Sequence, residues 1–222
     1  MMIQLYYTPS TAAMAPHIVL EEIGVPCEKI LVDTVAGAHR TDSYLKLNPN
    51  GTVPVLIDGD LVLYESAAIC LHLCDAYPEA ALAPAVATAK RAHFYKWLVW
   101  LTNTLQPSLM MYIYPERWMN EGNHAGVAEL KANAERRVGL LLDQLDAELA
   151  RLEKINPGTW LLGAHYTAVD AYALMLGRWS RHFTSSKRAR DYPHLGPYLQ
   201  RVLVRPAVMR VFEAEGLAQP WV

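Results

Sequence analysis

Short apolar runs open the chain, and long amphipathic stretches follow. Ile3-Gln4-Leu5-Tyr6-Tyr7 reads as a short buried strand, and Thr8-Pro9-Ser10-Thr11 as a turn. A helix is expected from about Ala12 to Ile23, with Gly24 as its C-cap and Pro16 near its first turn. Residues 27 to 32 give a second strand, and Tyr44, Leu45 and Leu47 a short helix stopped at Asn48-Pro49. Val55-Leu56-Ile57 and Leu61-Val62-Leu63 flank Asp58-Gly59-Asp60, a strong hairpin signal. Helical composition then runs from Glu65 to about Tyr77, where Pro78 follows. The order is β-α-β-α-β-β-α. Its first two strands are joined by a helical crossover and should be parallel.

Residues 78 to 87 form a linker with two prolines, and beyond it the pattern becomes helical throughout. It is continuous from Thr88 to about Lys154, apart from an interruption around Pro115 to Gly126. Leu130, Ala134, Val138, Leu141, Leu145, Leu149 and Leu152 step by three or four, so one face is apolar over many turns. Further helices are expected at 167 to 183, 194 to 203 and 206 to 215. Thr167-Ala168-Val169-Asp170 has the form of a capping box, with Thr167 as cap and Asp170 at the third helical position.

Composition narrows the function classes. Of 222 residues, 52% are hydrophobic and 19% charged, enough for a sizeable core. Twenty basic against 22 acidic side chains argue against a nucleic-acid protein held by bulk charge. No run of 18 apolar residues suggests a membrane span, and Met1-Met2-Ile3-Gln4-Leu5 lacks the basic start of a signal peptide. Three cysteines without framework spacing fit free thiols in a cytoplasmic protein. Cys70 and Cys74 read as buried thiols, Cys27 as an inert strand thiol, and no metal site is expected. The basic stretch Arg178 to Arg190 reads as a solvated helix end and loop.

The candidate chemistry lies between Asn48 and Ser66. Val53-Pro54 precedes the hairpin, and Glu65-Ser66 opens the next helix, so an extended segment, an acid, a hydroxyl and a helix N-terminus converge. A surface hairpin capped by a helix is the plain alternative. V-P followed by a hairpin and E-S-x-A-I resembles the glutathione-site signature of the glutathione transferase superfamily, and the likeness extends over nearly the whole chain. It implies a thioredoxin-like α/β domain over residues 1–80, an all-α domain over 88–222, glutathione as co-substrate and a detoxifying cytoplasmic homodimer. It also implies a cis Pro54, Val53 pairing its backbone with glutathione like an added strand, and Glu65 and Ser66 holding the γ-glutamyl end.

The chain departs from its cysteine-type relatives in the first turn, where Ala12 stands in place of the cysteine. The hydroxyls of Ser10, Thr11 and Tyr7 are the candidates to stabilise the thiolate, in that order, although Ser10 and Thr11 also suit a helix cap and the ring of Tyr7, on a strand, could instead point into the core. His39 and Arg40 could meet the glycine end of glutathione, and Asn50 its backbone; a solvated loop is the alternative. Met110, Tyr112, Tyr114 and Trp118, with Met111, form a soft aromatic cluster that could line a pocket for an apolar electrophile or simply be core. The activity expected is transfer of glutathione to a small electrophile. A glutathione-dependent disulfide oxidoreductase and a non-catalytic binding protein are the rivals.

Overall fold

The computed structural model describes residues 2–222 and divides into two compact units. The first comprises residues 2–84 and 204–218 of the described chain. Its four-stranded sheet has the order β2-β1-β3-β4, built from β1 (Ile3–Tyr7), β2 (Cys27–Leu31), β3 (Val55–Asp58) and β4 (Leu61–Tyr64). β1 pairs parallel to β2, as the crossover through α1 (Met14–Ile23) requires, and antiparallel to β3. β3 and β4 form the hairpin, with Val55 opposite Tyr64 and Asp58 opposite Leu61. With α2 (Asp42–Leu45) and α3 (Ser66–Ala76), this is the thioredoxin-like order that the resemblance implies.

Alternation accounts for the sheet. Leu5 and Leu56, directly opposite each other on β1 and β3, share one face and are fully buried, as are Ile18 of α1 and Ile69 and Leu73 of α3; Val55, one position along, points to the other face, where it packs with Val32 and Tyr44. Gly24 ends α1 in the left-handed region, its N–H on the Leu20 carbonyl. A helix from the far end of the chain, α9 (Pro206–Ala214), joins this unit rather than the helical one. It packs on α1, buries Val208, Val211 and Phe212, and is fastened by Arg205 to Glu22 (2.5 and 2.8 Å) and Arg210 to Glu21 (2.9 Å). The division expected at residue 88 rests on local composition, which carries no trace of such a return.

The second unit, residues 85–203 with 219–222, is helical. It holds α4 (Ala89–Trp100), α5 (Gln106–Ile113), α6 (His124–Glu153), α7 (Ala168–Trp179) and α8 (Leu195–Leu203). Between α4 and α5 the chain stays helical but widens into a π segment over Leu101–Leu105, Gln106 N–H reaching the Leu101 carbonyl. Pro107 accounts for this, since its ring and missing N–H disrupt a regular α ladder one turn upstream. Asp170 is wholly buried and accepts from Leu161 N (3.0 Å), Thr167 N (2.8 Å), Thr167 Oγ1 (3.1 Å) and Tyr198 Oη (2.7 Å). Thr167 and Asp170 therefore open α7 as their spacing anticipates. The basic stretch departs from expectation: Arg178 is buried and donates to the carbonyls of Pro220 and Trp221, and Arg190 donates to that of Val222.

Candidate functional site

Three pieces of the first unit meet at one end of its sheet. One is the turn between β1 and α1. Thr8 Oγ1 donates to the Val32 carbonyl (2.7 Å), and Thr11 Oγ1 donates to the Thr8 carbonyl (2.6 Å) while accepting Ala13 N–H at 3.4 Å. Ser10 sits in the left-handed region at φ 61°, and its N–H donates to Glu215 Oε2 at 2.8 Å. Of the three hydroxyls expected to act, that of Thr11 is thus committed to its own turn. Tyr7 is half-buried, with its ring 5.7 Å from that of His17.

A second piece is the start of α3. Glu65 is exposed and holds φ 74° and ψ 109°, a conformation a non-glycine residue keeps only when its surroundings impose it. Ser66 is buried, and its hydroxyl donates to the Ala12 carbonyl at 2.8 Å, tying the α3 N-terminus directly to the turn that carries Ser10. The proton of that hydroxyl is therefore turned away from any anion at the helix start. The first-turn N–H groups, which have no partner within a helix, remain suited to hold one.

The third piece is the loop before β3. The Val53-Pro54 peptide is cis, Pro54 is buried and Val53 lies beyond the register of the β1–β3 and β3–β4 ladders. Residues that sequence reasoning missed hold this loop. Buried Asn48 donates to the Thr52 carbonyl (2.7 Å) and hydroxyl (3.1 Å) and accepts Asn50 N–H (3.0 Å), and Tyr44 Oη also donates to the Thr52 carbonyl (2.8 Å). Gly51 has φ 58°; a Cβ there would lie 2.7 Å from Arg40 Nη1 and 3.0 Å from the His39 carbonyl. Arg40, His39 and Asn50 are thus neighbours, with Arg40 Nη1 donating to the Asn50 carbonyl at 3.4 Å.

The residues expected to line a pocket lie in the second unit and do not share one environment. Tyr112 is buried, its ring 4.5 Å from that of Phe183 in a T-shaped contact and its hydroxyl on the His182 carbonyl (3.1 Å), so it belongs to that unit's core. Met110 is half-buried, Tyr114 carries the Arg117 guanidinium 3.8 Å above its ring, and Trp118 is exposed. Burial pushes Cys27 up to about 11 and Cys70 well above the ordinary thiol range. No group of three His, Cys, Asp or Glu among the described residues is placed to hold a metal, and no described helix is long and apolar enough to cross a membrane.

The family model for the glutathione S-transferase N-terminal domain matches residues 1–75, and that for the C-terminal domain matches residues 73–206. The chain belongs to the glutathione S-transferase family. It is 30% identical over 210 residues to glutathione S-transferase 3 of Zea mays, spanning 91% of this chain and 89% of that one. Glutathione S-transferase GstB of Escherichia coli is also 30% identical, over 91% of this chain and 93% of its own. A sphingomonad glutathione S-transferase, solved in complex with glutathione, superposes with a TM-score of 0.80 at 30% identity, covering 97% of this chain and all of that one. The glutathione S-transferase fold is therefore that of this chain, a thioredoxin-like first domain followed by an all-α one.

Proposed function

We propose that this member of the family is an active glutathione transferase that binds glutathione as a thiolate and adds it to a small, mostly apolar electrophile. The observation that carries the reading is the bond from Ser66 Oγ to the Ala12 carbonyl. It sets an anion-binding helix start against a turn bearing a hydroxyl and backbone amides, within one rigidly built corner of the first unit. In this reading the extended backbone at Val53 pairs with the cysteinyl part of glutathione, as a peptide adds to a sheet edge. Glu65 takes the γ-glutamyl ammonium, the N–H groups opening α3 take its carboxylate, and Arg40, His39 and Asn50 meet the glycine end.

The reaction needs the thiol ionised near neutrality, although a free thiol titrates at about 8.5. Ser10 supplies a hydroxyl donor to the sulfur, and none of the bonds described above uses the N–H of Thr11 or Ala12. Each unit by which such donors lower the thiol is about 1.4 kcal/mol of differential stabilisation. The proton leaves to solvent. With an aryl halide, sulfur attacks the halogen-bearing carbon, the S–C bond forms and halide departs with the electron pair of the broken bond.

Turnover of an aryl halide with glutathione, compared with turnover of a hydroxyethyl disulfide, tests the reading. Conjugation that falls at least tenfold in Ser10→Ala while Thr11→Ser, which keeps the hydroxyl tied to the Thr8 carbonyl, stays within twofold of wild type supports it. Disulfide reduction without conjugation would make the protein an oxidoreductase, and retention on immobilised glutathione with neither activity would make it a binding protein.

A further inference from the structure

We propose that Glu215 and His17 are positioning residues for sulfur activation, acting through the backbone of Ser10; this rests on the reading that the turn carrying Ser10 faces the sulfur. Ser10 adopts φ 61°, a region that L side chains rarely occupy, so something outside the residue must hold it there. What holds it comes from the far end of the chain. Glu215, immediately after α9, places Oε2 2.8 Å from Ser10 N, 205 positions away. Its other oxygen lies 2.9 Å from His17 Nδ1 on α1.

The arrangement is a closed one. The side chain of Glu215 is fully buried and that of His17 is 1% exposed. With the proton on Nδ1, the imidazole donates to Oε1 while Ser10 N–H donates to Oε2, so each carboxyl oxygen has its own donor. His17 Nε2 has no hydrogen-bond partner among the described residues, and the ring lies beside that of Tyr7. A buried imidazole used on one nitrogen only is placed to orient the carboxyl group, and the carboxyl group in turn orients the amide of the residue with the disfavoured φ. The rest of the turn has ties of its own that do not involve Glu215: Thr8 to Val32, Thr11 to Thr8 and Ser66 to Ala12. Loss of Glu215 would leave those ties in place and release the conformation at Ser10, altering the aim of its hydroxyl and of the amides that follow. Glu215 lies beyond residues 73–206, where the C-terminal family model matches.

The test is spectroscopic titration of the thiolate in the glutathione complex, together with kcat and KM for glutathione and the melting temperature, for Glu215→Ala, Glu215→Gln, His17→Phe and Ser10→Ala. Glutamine can accept Ser10 N–H on its oxygen and donate its amide to Nδ1 of the other imidazole tautomer. The expected results are a rise of the bound-thiol midpoint by about one unit in Glu215→Ala, equal to a tenfold loss of thiolate, and a comparable fall in kcat with KM within about threefold. Glu215→Gln restores most of both, and His17→Phe gives a smaller shift in the same direction. In the double variant Ser10→Ala/Glu215→Ala the midpoint rises no further than in the more affected single one. A Glu215→Ala protein that melts lower but keeps the midpoint and kcat overturns the proposal. If Glu215→Ala does not fold, an unchanged midpoint in both Glu215→Gln and His17→Phe, with their melting lowered, overturns it equally. Failure of the Ser10 reading looks different: Ser10→Ala alone then leaves the midpoint in place.

Discussion

Replacing Asp170 by alanine should be among the most damaging single changes in the helical domain without touching the chemistry. The carboxyl group is wholly buried and receives four donors, two backbone N–H groups and two hydroxyls. A cap alone is worth about 1 kcal/mol. Alanine also strands Leu161 N–H and Tyr198 Oη in a dry interior, and each buried donor left without an acceptor costs about 1–3 kcal/mol. Allowing for relaxation, the loss should be about 4 kcal/mol, which lowers the melting temperature of a chain of this size by roughly 8–16 °C. Tyr198→Phe, which removes one donor and leaves three, should cost about 1 kcal/mol. The effects of the pair should be well below additive, because the donor lost in the second variant has already lost its acceptor in the first. Urea unfolding followed by circular dichroism measures all three proteins, and activity is assayed at a temperature where each is folded. A variant that melts within a degree of wild type but has lost turnover would refute the reasoning and move Asp170 from folding into catalysis.

Other outcomes follow from the same geometry. Gly51→Ala should weaken glutathione binding at least fivefold by titration calorimetry, because a Cβ collides with Arg40 Nη1 and the His39 carbonyl at a position held at φ 58°. Asn48→Ala should raise KM for glutathione with little change in the melting of the helical domain, since it frees the loop leading to Val53. Native protein should alkylate at Cys27 about 100-fold more slowly at pH 8 than the urea-unfolded chain: a thiol raised from 9.0 to about 11 carries that much less thiolate. Fast labelling of Cys27 in the native state would show that the strand opens or that burial does not govern the thiol.

Much of this molecule is legible locally, and the unreadable parts share a cause. Asp58-Gly59-Asp60 announces its hairpin because turn geometry selects those residues, and Thr167 with Asp170 marks the start of α7 because cap and partner are three positions apart. Ala134, Val138, Leu145 and Leu149 of the apolar stripe do form the buried face of α6, but in its middle turn the buried leucine is Leu142, and Leu141 of the expected stripe is only half-buried. Glu65-Ser66 stands out because acid, hydroxyl and helix start are adjacent in the chain. Glu215 does not, since nothing around it in sequence speaks of Ser10, and the contact joins segments 205 residues apart. Arg178 looks like surface charge until the carbonyls of Pro220 and Trp221 are seen to receive it. Tyr112 has the composition of a pocket residue, but its neighbour Phe183 and the His182 carbonyl, from another segment, make it core. Asn48 falls between these cases: its loop is local, but its choice of Thr52 over the helix behind it depends on the fold.

A crystal structure of the protein soaked with glutathione tests the central claim most directly. The account predicts main-chain hydrogen bonds between the cysteinyl unit and Val53, the γ-glutamyl carboxylate at the N–H groups that open α3, its ammonium at Glu65, and sulfur within hydrogen-bond reach of Ser10. Glutathione bound elsewhere, or no glutathione at a concentration that saturates turnover, would contradict it.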